Sequence, residues 1–193
     1  MRYGLTGATG FVGGVLTRQL VEAGHEVVAL VRTPARARDL ADLGVELVEG
    51  DLDSDDALDR LLSGADGLFH VAGWYKLGER DPSPGRRVNV EGTRNVLSAA
   101  LRAGTPKVVH TSTLAINSDT GGALHDETHR FTGDHLSEYD RTKAQAHEVA
   151  HEMFARGLPV VSVMPGAVYG PGDTSQVGEL VAQVVAGRRV QVP

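Results

Sequence analysis

Thr6-Gly7-Ala8-Thr9-Gly10-Phe11-Val12-Gly13 leaves the short apolar run Arg2–Leu5 and opens the amphipathic run Phe11–Ala23. A strand that turns through three glycines, spaced three apart, into a helix has the layout of a phosphate-binding turn. Gly7 permits a tight turn, Gly10 lets the backbone approach a pyrophosphate, and Gly13 allows close packing of the helix on the sheet. The helix start adds unpaired N–H groups and a partial positive charge. A plain strand–helix turn is the bland alternative, and the setting near the N-terminus favours the phosphate site. On that reading Gly7, Thr9, Gly10, Phe11, Val12 and Gly13 line a bound cofactor.

Outward from this stretch, short β-branched runs alternate with longer amphipathic ones. Strands are predicted at Arg2–Leu5, Glu26–Val31, Glu46–Glu49, Gly67–His70, Lys107–Thr111 and Pro159–Met164. Helices are predicted at Phe11–Ala23, Ala35–Leu43, Ser54–Leu62, Val88–Ala103, Ser137–Arg156 and near Gln176–Ala186. Gly24, Gly44, Gly64, Gly104 and Gly157 stand where helices should end. Strict alternation implies right-handed crossovers, hence an α/β fold with a doubly wound, mainly parallel sheet and helices on both faces. The ligand crevice then lies at the carboxyl ends of the strands. Residues 1–193 read as one such domain. After Pro165 only a loop and one helical pattern follow before Val192-Pro193, so a substrate-covering domain is expected to be largely absent.

Composition narrows the partners. A formal charge of −6 and no dense basic stretch argue against nucleic acid. There is no cysteine, which removes disulfides and thiolate metal sites. His25, His110, His125, His129, His135, His147 and His151 lack a compact ligand spacing, so no metal is expected. No apolar run reaches transmembrane length, and a cytoplasmic protein with no membrane partner is the default expectation.

The second predicted strand ends Val31-Arg32, where dinucleotide sites that prefer NAD usually carry an acid. An arginine there would pair bidentately with a 2′-phosphate, which favours NADP(H) and leaves NAD(H) possible. The other reading makes Arg32 solvated surface, and Arg36 and Arg38 either assist it or decorate an exposed helix. Asp51, in Gly50-Asp51-Leu52, either accepts from an adenine amino group or caps the next helix, with Asp53 and Ser54 as rival caps.

Tyr139 and Lys143 are four residues apart and share one helical face. A phenol ionises near pH 10, and an ammonium one turn away favours the phenolate, so Tyr139 becomes a usable proton donor or acceptor. Thr111-Ser112-Thr113 ends the fifth strand and delivers hydroxyls to the crevice, although turn-forming roles suit at least two of the three.

With these pieces in place, the sequence resembles the extended short-chain dehydrogenase/reductases, the group of dihydroflavonol-reductase-like enzymes and nucleotide-sugar epimerases. The matching stretches are residues 6–13, Gly50-Asp51-Leu52, His70-Val71-Ala72-Gly73, Asn89-Val90-Glu91-Gly92-Thr93, Thr111-Ser112-Thr113, Tyr139 to Lys143, and Pro165 to Asp173. They run in family order along nearly the whole chain. The resemblance implies a Rossmann-type fold in which Tyr139 is the acid/base and Lys143 binds the nicotinamide ribose. It places Thr113 on the family's catalytic serine, and Ala72, Gly73, Pro165 and the backbone near Val168 along the cofactor. Asn89 matches an asparagine that supports the neighbouring helix and strand end. It also implies a homodimer through the helices near 88–103 and 137–156, with apolar outward faces.

The implied activity is NADP(H)-dependent hydride transfer to or from a small carbonyl or alcohol through Thr113, Tyr139 and Lys143. The alternatives are an NAD-dependent nucleotide-sugar epimerase or dehydratase and a non-catalytic NADP(H)-sensing protein. Gly73 stands where the family usually has alanine and is followed by Trp74-Tyr75-Lys76, aromatics that face a flat or apolar substrate or simply pack.

Overall fold

The computed structural model describes residues 1–75 and 81–188; Lys76 of the aromatic loop and the closing Val192-Pro193 lie outside the described residues. Six strands form one sheet: β1 (Arg2–Thr6), β2 (Glu26–Val31), β3 (Glu46–Glu49), β4 (Gly67–His70), β5 (Val108–Thr111) and β6 (Val160–Val163). Their spatial order is β3-β2-β1-β4-β5-β6, and every neighbouring pair is parallel. This is the doubly wound Rossmann arrangement.

Central strands rich in valine and leucine are buried on both faces, as a parallel sheet requires. On one face Val28, Leu58, Leu61, Val96, Leu97, Val149 and Met153 share a core. It is covered by α3 (Asp55–Leu62), α5 (Thr93–Arg102) and α6 (Glu138–Ala155). On the other face Leu5, Leu20, Val27, Ala29 and Leu40 pack beneath α1 (Phe11–Glu22) and α2 (Arg38–Asp42). The five glycines expected to end helices all have positive φ, from +65° at Gly104 to +99° at Gly157. A Cβ would strain that left-handed backbone.

Three elements depart from the sequence reading. The helix expected over Ala35–Leu43 is split into a 3-10 turn, Pro34–Arg36, and the five-residue α2, because Ala37 leaves helical geometry at φ −119° with no surface exposed. The helix expected from Val88 begins earlier, as α4 (Ser83–Gly85), runs through a π-helical segment at Arg86–Gly92 and continues as α5. Helix α6 starts one residue late because the Ser137 side chain caps it, accepting the Asp140 N–H at 3.1 Å. A last helix, α7 (Gln176–Val185), follows β6.

The outward surface of α5 and α6 carries both apolar and charged groups. Phe154 is the large exposed apolar side chain there among the described residues, beside an Arg94–Glu152 ion pair at 2.7 Å that bridges the two helices. Among the described residues no helix is long and apolar enough to cross a membrane.

Strand order reverses between β1 and β4, so the turns after them part toward opposite faces and leave a crevice between them. The turns nearly touch at its base: a Cβ on Gly7 would lie 2.6 Å from the Ala72 nitrogen.

Candidate active site

An open cleft of about 1310 Å³ lies along the carboxyl ends of the strands. Every residue predicted to bind the cofactor or to react lines it: Gly7, Thr9, Gly10, Phe11, Val12, Gly13, Arg32, Asp51, Leu52, Ala72, Gly73, Thr113, Tyr139, Lys143, Pro165 and Val168. Positions scattered over the chain are brought together because parallel strands deliver all their carboxyl ends to one edge.

The glycine turn is built for close approach. Gly7 sits at φ +79°, and the Gly10 N–H donates to the Gly7 carbonyl at 2.9 Å. Gly13 works differently from the expectation: an added Cβ would collide with the Gly7 carbonyl, so its bare backbone packs on the turn itself rather than on the sheet. Helix α1 thus starts directly behind the turn, and its first-turn N–H groups remain for an anion. This cradle, which any side chain at Gly7 or Gly13 would fill, fits a dinucleotide pyrophosphate.

At the far end Arg32 lies exposed on the rim. Asp51 is not the cap of α3, whose cap position is Ser54. The Asp51 carboxylate accepts its neighbour Leu52's N–H at 2.8 Å, and the Asp51 N–H donates to the Ser54 hydroxyl at 3.1 Å. That turn holds Asp51 at the cleft wall.

Below the cleft, polar groups fix the end of β4. Buried His70 sits between Thr6 Oγ1, 2.7 Å from its Nδ1, and Thr93 Oγ1, 2.9 Å from its Nε2. Burial and the nearby Lys143 lower the His70 pKa to about 3. Asn89, on the π-helical segment, accepts the Trp74 N–H at 2.7 Å and donates to the Trp74 carbonyl at 3.1 Å and the Thr142 hydroxyl at 3.0 Å. It therefore clamps the aromatic loop to α6. A Cβ on Gly85 would lie 3.1 Å from the Trp74 ring, so Trp74 packs inward. Tyr75 turns to the cleft and meets the Tyr139 ring edge-to-face, with centroids 4.9 Å apart.

Lys143 and Tyr139 project from α6 into the cleft opposite Thr113. The Lys143 ammonium donates to the Thr111 carbonyl at 2.7 Å, and burial lowers its pKa to about 8. Burial pushes the Tyr139 phenol above its usual value; the Thr113 hydroxyl pulls the other way and Tyr75 adds to the rise. In this structure the Lys143 amine is engaged with the main chain at Thr111. The Thr113 hydroxyl accepts the Ala115 N–H at 3.2 Å and donates to the Pro165 carbonyl at 3.4 Å, joining the ends of β5 and β6.

Sequence reasoning left Tyr75 open between facing a substrate and packing, and it passed over His70 beneath the site and a buried contact at 2.9 Å between His147 Nδ1 and the Ser112 hydroxyl. A signal for the last was available, since His147 continues the Tyr139–Lys143 step by four.

Comparison with known proteins agrees with this geometry. A model of the NAD dependent epimerase/dehydratase family matches residues 4–193. A Synechocystis protein provisionally named a dihydroflavonol 4-reductase is 37% identical over 98% of this chain and 55% of its own length. The crystal structure of gox2253 superposes with a TM-score of 0.83 at 35% identity, over 98% of this chain and 58% of that one. The dTDP-glucose 4,6-dehydratase DesIV of Streptomyces venezuelae, solved with NAD, gives a TM-score of 0.81 at 27% identity, over 97% and 63%. The chain thus spans little more than half the length of the curated relatives it matches.

The solved structures correct one expectation. Six of the similar structures were determined with NAD, which overturns the preference for NADP(H) drawn from Arg32. The physical reason is that a lone guanidinium on an exposed rim does not by itself make a 2′-phosphate site; it also suits a nucleotide without that phosphate by stacking on adenine. By the extent of the family match and the order of its motifs, the chain belongs to the NAD dependent epimerase/dehydratase family.

Proposed function

We propose that this chain is the NAD(H)-binding part of an enzyme that oxidises or reduces a carbinol carbon of a small molecule, in the manner of an epimerase or dehydratase that transiently oxidises a sugar carbon. The observation that carries the reading is the meeting of Thr113, Tyr139 and Lys143 in the same cleft as the glycine cradle. NAD, when bound, supplies the hydride acceptor and donor. Gly7, Thr9, Gly10, Phe11, Val12 and Gly13 would hold its pyrophosphate. Arg32, Asp51 and Leu52 would hold the adenosine end, and Ala72, Gly73, Pro165 and Val168 the nicotinamide end.

This chain's own part of the reaction is proton handling. Thr113 holds the substrate oxygen by a hydrogen bond, and Tyr139 takes its proton or returns it. A phenol held high by burial is a weak base, so its activation needs a cation nearby. Lys143 is positioned for that once its amine exchanges the Thr111 carbonyl for a cofactor hydroxyl. With a pKa of about 8 it is still mostly charged at neutral pH.

A second reading, a ketoreductase that consumes NADH stoichiometrically, draws on the relative named for dihydroflavonol and on the aromatic wall at Tyr75. The two separate in one experiment. Trp74 is the only tryptophan and lines the cleft, so quenching of its emission reports NADH binding. UDP-glucuronic acid, dTDP-glucose and a set of aryl and alkyl ketones are then added with NAD or NADH. Sugar conversion without net change in NADH supports the first reading, and steady NADH loss with a ketone supports the second. Failure of NADH to quench Trp74 would overturn both.

For association we propose a two-fold pair through α5 and α6 centred on Phe154, which sedimentation of Phe154→Glu against the parent tests.

A further inference from the structure

Helix α6 carries Tyr139, Lys143, His147 and His151 at four-residue steps, one stripe along its axis. The first two belong to the reaction proposed above; the third is buried, with 5% of its surface exposed, and faces Ser112, with 3% exposed, at the end of β5. His147 Nδ1 lies 2.9 Å from Ser112 Oγ, and His147 Nε2 lies 3.0 Å from His151 Nε2. That same His151 nitrogen is 2.9 Å from an Arg130 guanidinium nitrogen. Ser112 also lines the cleft, between Thr111, which receives the Lys143 amine, and Thr113.

The donor and acceptor roles in this row follow from its outer end. A guanidinium only donates, so His151 Nε2 accepts. Two bare ring nitrogens would repel at 3.0 Å, so His147 Nε2 carries a proton and shares the single His151 Nε2 lone pair with Arg130. In a neutral ring the other nitrogen then has none, and His147 Nδ1 accepts the Ser112 hydroxyl proton. Burial, followed by His151, Arg130 and Lys143, keeps the His147 ring neutral, its pKa lowered to about 4.

We propose that His147 is a positioning residue that draws the Ser112 proton away from the cleft, so that Ser112 meets the substrate with lone pairs only. The inference rests on the cleft being the NAD(H)-dependent site, and it adds to that reading a chemical requirement. Whatever substrate group lies over Ser112 must be a hydrogen-bond donor, which selects a molecule with a hydroxyl beside the reacting carbon over a plain ketone. Lys143 is spent on its own partners, so Ser112 acts as a separate acceptor rather than as part of the proton path through Tyr139.

The test has a spectroscopic arm and a kinetic arm, both on the full chain with NAD. Two-bond ¹⁵N–¹H spectra of the histidine rings should show His147 as the Nε2–H tautomer, and Arg130→Leu with His151→Leu should raise the Nδ1–H form. A wild-type Nδ1–H tautomer overturns the proposal. In the kinetic arm, with whichever compound of the substrate set is turned over, His147→Leu and Ser112→Ala should each lower kcat about tenfold, the scale of one lost hydrogen bond, with NADH quenching unchanged. The double variant should be no worse than either, and His147→Asn, whose side-chain oxygen can stand in for Nδ1, should recover most of the loss. Additive losses, or unchanged kcat in His147→Leu, overturn it. If the wild-type chain binds NADH and turns over nothing, the enzymatic reading itself fails and the positioning role falls with it, whatever the tautomer.

Discussion

The Lys143 ammonium is bonded to the Thr111 carbonyl at 2.7 Å across the end of the sheet, with 6% of the residue exposed. A charge held there has lost most of its water and gained one neutral acceptor. Its pKa accordingly falls from 10.5 to about 8. For a base lowered on folding, the cost of carrying charge is fully present below pH 8 and is relieved as pH rises toward 10.5. Stability to urea should therefore rise across that window, by up to about 3 kcal/mol. Lys143→Met should flatten the slope. A parent chain whose urea midpoint does not change between pH 8 and 10 would show that the amine is better solvated than this.

Tyr139→Phe removes the phenol oxygen and keeps the ring that packs against Tyr75. Turnover should fall by about 10²–10⁴-fold, the loss typical of a missing general acid/base, while NADH quenching of Trp74 stays within a factor of two or so. Lys143→Ala should weaken both, because it takes away the proposed cofactor contact together with the charge.

Acid should unfold the protein earlier than its carboxylates alone would require. The His70 pKa is lowered to about 3 and that of His147 to about 4, while His110 is held well below its usual value by burial first and then by its neighbours His70, Lys143 and His147. These rings are neutral in the fold and protonate in the unfolded chain near pH 6.5. Stability is whole above that pH and drains away as it falls toward 4. Circular dichroism in urea should show a midpoint that drops steadily from pH 6.5 to 4. His70→Gln should lower the midpoint at pH 7.5 and weaken its acid dependence, since it breaks the Thr6–Thr93 link and removes one titrating ring.

Gly13→Ala should abolish NADH binding, because its methyl collides with the Gly7 carbonyl and pushes α1 off the turn. Gly24→Ala is the comparison, with φ +77° and no atom within 4 Å of the added carbon. It should cost about 1 kcal/mol of stability from backbone strain alone and leave binding intact. Equal affinity in Gly13→Ala and the parent would mean that the turn is looser than its geometry indicates.

The alternation that defines the fold was legible because each strand is a short β-branched run and each helix end is marked by a glycine of positive φ. The residues that line the cleft were legible because close approach of backbones restricts its turns to glycine and parallel strands deliver their carboxyl ends to one edge. Three features were not. Pro82, Pro84 and Gly85 are poor helix formers, and the fourth predicted helix begins only at Val88, which misses the earlier turn and the start of the π-helical segment. The burial of Ala37, which breaks the second helix, depends on contacts far away in the chain. The engagement of Lys143 with Thr111 depends on where β5 ends against α6, which spacing on one helix does not record. Arg32 misled for a related reason: a residue type suggests a ligand, but the rim on which it sits decides how many groups converge there.

The near-contact of Gly7 with Ala72 has a mechanical consequence. The sheet's two halves are joined at the β1–β4 seam, and the turns on either side of it part to form the cleft. A dinucleotide lying across that seam acts as a cross-tie between halves that otherwise meet along a single strand pair. Amide exchange at the inner ends of β1 and β4, around Thr6 and His70, should then slow together when NAD is added. Slowing should extend outward to β3 on one side and β6 on the other, so that the two halves open as one unit rather than separately.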